Sequence, residues 1–198
     1  MTHSLDQDGA LLRRIRTGDR SAFGTLVTRY WPLLVEHAVR LGASADDADD
    51  AVQGVLIRIW AKRETWETAG SVRALLYRMT RDAILDQSKA ALRRLRRHET
   101  QAAVGAPVPT PSEELDRSDL EAALAAAVAD LSERRRAIYE LTRIDGLTYR
   151  EAAEVLGIAP QTAANHLTAA LRQIHDSVRA HLDPPRASHP TDRRRSRG

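Results

Sequence analysis

Gln161, Thr162, Asn165, His166 and Arg172 carry chemistry suited to reading nucleic acid, and they recur at helical spacing. Side-chain amides of Gln and Asn can bond bidentately to adenine, and Arg to guanine or to phosphate. A second row, Asp50, Gln53, Gly54 and Ile57, lines up away from an apolar stripe. A carboxylate, an amide and an outward Ile on one face suit a protein partner with basic residues. Arg78, Asp82, Lys89 and Arg93 share a third outer face, where cations can follow phosphates. Nearby Trp66 and Tyr77 could stack on unpaired bases, and equally could serve as ordinary core aromatics. No catalytic set is visible. The seven histidines are scattered, none in the usual zinc spacing, and the lack of cysteine excludes thiolate metal sites and disulfides. No cofactor is expected.

Helices must position these rows, because long runs of β-branched and aromatic residues are scarce and Ala, Leu and Arg abound. Phe23, Leu26, Val27, Tyr30, Leu33, Leu34 and Leu41 form one stripe after a Gly18-Asp19 break, with Pro32 as a potential kink. Ser44 and Asp47 resemble a capping box that opens the stripe Ala48, Ala51, Val52, Val55, Leu56, Ile59 and Trp60. Ser71 can cap a helix with Val72, Leu75, Leu76, Met79 and Ala83 inward. Further on, Leu120, Leu124, Ala127, Val128 and Leu131 share a stripe, and Ser132 can cap a helix holding Ile138 and Leu141. Thr148 and Glu151 have true capping-box spacing, Gly157 can take the left-handed conformation that stops a helix, and Pro160 suits the first position of the next. A capped short helix, a glycine turn and a longer helix make a helix-turn-helix, whose second helix enters the DNA major groove. The longer helix packs Ala163, Leu167, Ala170, Leu171, Ile174 and Val178, which turns the Gln161–Arg172 row outward.

The 198 residues suit two small domains, with a net charge of +3. Charge is uneven: Asp46, Asp47, Asp49 and Asp50 make an acidic knot, Arg93, Arg94, Arg96 and Arg97 a basic one, and Arg193, Arg194, Arg195 and Arg197 a basic end. Separated blocks of opposite sign suit one nucleic-acid partner and one that is not. Three alternating prolines between Glu99 and Ser112 bar a helix there. The expected organisation is all-α: a helical domain over residues 1–97, a flexible linker over 98–112, a helix-turn-helix domain over 113–183 and a disordered basic tail over 184–198. No signal peptide and no apolar run of membrane length are present, so a cytoplasmic protein without membrane insertion is expected.

Two segments after the prolines, LSERRRAIYEL over Leu131–Leu141 and GLTYREAAEVLGI over Gly146–Ile158, resemble domain 4 of the extracytoplasmic-function (ECF) sigma factors. The stretch DADDAVQGVLIRIW over Asp47–Trp60 resembles the family's polymerase clamp-binding helix, and VRALLYRMTRDAILD over Val72–Asp86 its −10 recognition and melting segment. The resemblance implies a sigma factor that directs promoter-specific initiation by RNA polymerase. It places core polymerase binding on Asp50, Gln53, Gly54 and Ile57. The −10 contacts fall to Trp66, Tyr77, Arg78, Asp82, Lys89 and Arg93, and the −35 contacts to Gln161, Thr162, Asn165, His166 and Arg172. Core RNA polymerase and promoter DNA are the implied partners, and an anti-sigma factor is typical of the family. The sequence departs from the family at Gly54, where Glu is usual, and at Asp82, where Asn is usual. It departs again at Ala159, where a Ser cap is usual, and at Ala163 and Ala164, where Val and a basic or polar residue are usual. A stand-alone helix-turn-helix regulator and an interaction adaptor that has lost DNA binding are the alternative readings.

Overall fold

The computed structural model describes residues 3–65, 70–97 and 117–182. The proposed linker, the basic tail and Trp66 therefore lie outside the described residues. Those described form eight α-helices and no strand. They are α1 (His3–Arg16), α2 (Arg20–Arg40), α3 (Ala45–Ala61), α4 (Val72–Arg97), α5 (Arg117–Ala129), α6 (Glu133–Tyr139), α7 (Tyr149–Leu156) and α8 (Pro160–Leu182). A short 3₁₀ turn at Arg63–Thr65 follows α3, and a π-helical turn at Glu140–Ile144 extends α6.

Local chemistry sets most boundaries. Asp19 accepts from the backbone N–H of Ser21 and Ala22 and so starts α2. Ser44 accepts from Asp47 N to start α3. Pro32 lies within α2, which runs unbroken from Arg20 to Arg40. The Thr148–Glu151 capping box is closed in both directions, and Gly157 ends α7 at φ 64°. Ser132, by contrast, makes no capping bond. Arg136 secures that corner instead, donating to the carbonyls of Val128, Ala129 and Leu131 at the end of α5. Thr148→Ala should therefore lower stability by about 1 kcal/mol in urea denaturation, while Ser132→Ala should change it by far less.

Helices α1–α4 form the first half and α5–α8 the second. The stripes predicted for α2, α3 and α4 supply the buried residues Leu26, Tyr30, Leu34, Val52, Val55, Ile59 and Leu76. The expected α5 stripe holds at Ala127, Val128 and Leu131, which pack together, and departs at its start. Ala123 and Ala127 are buried, whereas Leu120 and Leu124 are exposed at 48% and 39%. Alanine on the inner face lets α5 lie close to α8, and the leucines are turned outward. The largest surprise is that the two halves share one core. Val72, Leu76 and Tyr77 of α4 belong to the same buried cluster as Ile138, Leu141, Leu147, Ala152 and Val155 of the second half.

Candidate nucleic-acid and polymerase interfaces

The row on α3 lies where its spacing predicts. Ala48, Ala51, Val52, Val55, Leu56 and Ile59 face the core, so Asp50, Gln53 and Ile57 face outward. Ile57 is 60% exposed, the largest exposure among the exposed large hydrophobics of the described chain. Gly54 is half-buried, and a Cβ placed there would meet no atom within 4 Å. Its carbonyl accepts from Arg58 Nε at 3.3 Å.

On α8 the opposite face is fixed by Ala163, Ala170 and Ile174, all buried. Gln161, Thr162, Asn165 and Arg172 are exposed and His166 is half-buried. Gln161 Nε2 donates to Asn165 Oδ1 at 3.1 Å, which holds the two amides side by side one turn apart. That leaves an acceptor from Gln161 and donors from Asn165 directed outward, the complement of an adenine edge. Ala159 precedes the helix without a side-chain acceptor, and Ala164 is half-buried beside Asn165.

The row on α4 divides. Arg78, Asp82, Lys89 and Arg93 are exposed, and Lys89 has a loose 3.7 Å pairing with Asp86. Tyr77 does not join them. It is fully buried, its ring lies 4.9 Å from that of His37, and its hydroxyl donates to Asp145 Oδ1 at 3.4 Å. Burial foremost, and then the Asp145 charge, push its hydroxyl pKa well above the ordinary tyrosine value. In this arrangement Tyr77 is a core aromatic with a polar end, and no base can stack on it. An amphipathic ring one turn from an arginine reads the same in sequence whether it faces DNA or the interior.

Sequence reasoning missed the cluster that holds Tyr77. Asp145, just past the π turn, takes His37 Nδ1 at 3.2 Å on one oxygen and the Arg40 guanidinium on the other. Arg73 of α4 donates to the carbonyls of Asp145 and Gly146, the latter at 3.0 Å. Beside it, Ser71 Oγ donates to Glu151 Oε1 at 2.6 Å, so the α7 capping box is also tied to the first half. Burial pushes the Glu151 carboxyl up, but bonds from Ser71 and Thr148 and the Arg73 charge outweigh it and leave the pKa below the ordinary value. Burial holds neighbouring Glu140 above its usual range, despite the nearby charges of Arg40 and Arg136. The sole hint in sequence is His37, a polar residue buried on the otherwise apolar inner side of α2.

Family comparison agrees with this architecture. Residues 26–98 match the sigma-70 region 2 model and residues 121–174 the sigma-70 region 4 model. The ECF RNA polymerase sigma factor SigL of Mycobacterium tuberculosis is 31% identical over 143 residues, 72% of this chain and 80% of the relative. The RNA polymerase sigma factor NccH of Alcaligenes xylosoxydans xylosoxydans is 30% identical over 172 residues, 82% of this chain and 90% of the relative. Among solved structures, the sigma factor RpoE of Bartonella quintana, in complex with the anti-sigma factor NepR, superposes with a TM-score of 0.56. It is 25% identical, over 79% of this chain and 96% of that one. With helical halves matching regions 2 and 4 and relatives along most of its length, the chain belongs to the ECF sigma factors of the sigma-70 family.

Proposed function

We infer that the two halves divide promoter recognition between them. Residues 1–97 bind core RNA polymerase through Asp50, Gln53, Gly54 and Ile57, and capture the −10 strand along Arg78, Asp82, Lys89 and Arg93. Residues 113–183 read the −35 element through Gln161, Thr162, Asn165, His166 and Arg172. The observation that carries this reading is α8. It presents a bonded Gln161–Asn165 pair outward while its other face is packed against α5, α6 and α7.

The chain supplies no catalytic step of its own, and nucleotide addition belongs to the polymerase. No described helix is long and apolar enough to cross a membrane, and the protein acts in the cytoplasm. The RpoE–NepR likeness supports an anti-sigma factor as a further partner.

Retention on immobilised core polymerase, followed by run-off transcription from a cognate promoter, tests the assignment. Palindromic DNA binding without polymerase would instead mark a stand-alone regulator, and polymerase binding without transcription an adaptor. Within this reading, Ala164→Lys should tighten holoenzyme binding to −35 DNA and steepen its salt dependence by about one counterion. An unchanged salt slope would show that position 164 does not face the phosphate backbone.

A further inference from the structure

We propose that Asp82 makes the −10 face of α4 selective for a guanine of the melted strand, read along its Watson–Crick edge. The proposal rests on the −10 assignment of α4 above and names the base that this face takes. Asp82 is the one acid in the row Arg78, Asp82, Lys89 and Arg93. Its side chain is 59% exposed, against 30% for neighbouring Arg81, and Arg81 Nη1 lies 3.6 Å from Asp82 Oδ1. That distance is long for a charge-assisted hydrogen bond, and Asp82 Oδ2 has no partner among the described residues. The carboxylate is steadied on one side without being saturated. Asp86 is exposed as well, with Lys89 at 3.7 Å. At 3.6 residues per turn it lies further round the helix, roughly 50° from the middle of the row.

A carboxylate in a path of phosphates is repelled by them, so it weakens binding unless a base supplies donors. Arg78 stands one turn before Asp82 and Lys89 two turns after, about 6 and 10 Å along the helix axis. These cations can take phosphates on either side, which leaves Asp82 to the base between them. A carboxylate only accepts, and it can accept two bonds side by side. In duplex DNA the Watson–Crick edges are occupied, whereas an unpaired base offers them to a protein. Guanine then presents N1–H and an N2 amino hydrogen in the same direction, two adjacent donors for two carboxylate oxygens. Adenine and cytosine each place a ring-nitrogen acceptor beside a single amino group. Thymine flanks its one N3–H with two carbonyls. Against Asp82 each of these three sets a lone pair beside an oxygen and leaves a bond unmade. Guanine alone fits. An amide in the same place offers one donor and one acceptor, and so pairs with adenine or cytosine.

The test selects strands from a pool of randomised single-stranded DNA on the full-length protein bound to core polymerase. The selected strands should share a guanine, and replacing it by adenine, cytosine or thymine should weaken binding at least about tenfold. Inosine, which lacks the N2 amino group, should lose most of that gain. 7-Deazaguanine, which lacks only the N7 acceptor, should keep it. Asp82→Asn should move the selected base to adenine or cytosine, and Asp82→Ala should leave no preference there. Asp86→Asn removes the same charge one turn away and should retain the guanine. Both positions are exposed, and circular dichroism of each variant checks that the helices persist. A uniform rise in affinity for every base in the two Asp82 variants, with the guanine still selected, would reduce Asp82 to a source of phosphate repulsion and overturn the proposal. Loss with 7-deazaguanine but not with inosine would place the reading on the other edge of the base and overturn it too. A holoenzyme that binds −35 duplex but no single strand of any sequence would remove the −10 assignment itself, and the guanine with it.

Discussion

Gly54→Glu should tighten binding to core polymerase by about 1–3 kcal/mol and raise the melting temperature of the free protein. Two effects act in the same direction. Glycine inside a helix is about 1 kcal/mol less favourable than Ala, and Glu ranks close to Ala. Around Gly54 the free chain offers open space, so the new side chain displaces nothing. It would extend outward beside Asp50, Gln53 and Ile57, completing a row that already has a carboxylate, an amide and an exposed hydrophobe. A charge-assisted bond to a basic partner contributes more than a neutral one, which sets the upper end of the range. A competition titration against core polymerase reads the effect directly. Weaker binding with a higher melting temperature would mean that a polymerase helix approaches Gly54 too closely for any side chain. The glycine would then be a steric requirement and not a lost contact.

Ile138→Ala should lower the stability of the second half by about 2–5 kcal/mol, the range for removing a fully buried aliphatic side chain. Its reach into the first half is the more informative result. Trp31, Trp60 and Trp66, the three tryptophans of the chain, all precede α4. Tryptophan fluorescence therefore reports on the first half, although Ile138 lies in α6. Because Ile138 shares a buried cluster with Leu76 and Tyr77, the fluorescence midpoint in urea should fall as well. It should fall by less than the helical signal does, since only the contribution of the shared cluster crosses between halves. A fluorescence transition that stays put while the circular-dichroism transition moves would show two independently unfolding halves.

What could be read in the sequence was local. Helix caps at Ser44 and Thr148, the glycine stop at Gly157 and the outward rows on α3 and α8 involve residues at most a few positions apart. Capping and periodicity act over that range. The α5 stripe held at Ala127, Val128 and Leu131 but not at Leu120 and Leu124, because Leu and Ala both recur at helical spacing there. Which set turns inward depends on how near α8 lies, and spacing does not encode that distance. Tyr77 failed for a related reason: its partner is Asp145, 68 positions away. Ser132 was a reasonable cap by type, but its side chain accepts from no N–H of α6, and the bonds at that corner come from Arg136 to the carbonyls that end α5. The Asp145 cluster joins residues from α2, α4 and the segment before α7, each unremarkable in its own neighbourhood. Nothing short of the tertiary fold brings them together.

The separation of 108 positions between His37 and Asp145 also orders events during synthesis. The ribosome adds about 5–20 residues per second, so Asp145 is made roughly 5–20 s after His37. Helix formation and collapse of small helical units take microseconds to milliseconds. The first half therefore has ample time to fold while the residue that will seal it has yet to be made. Every new molecule passes through a period in which Arg73 and Tyr77 are uncovered and the α3 face is already formed. A polymerase or an inhibitory partner that met the chain while it was still on the ribosome would find it open.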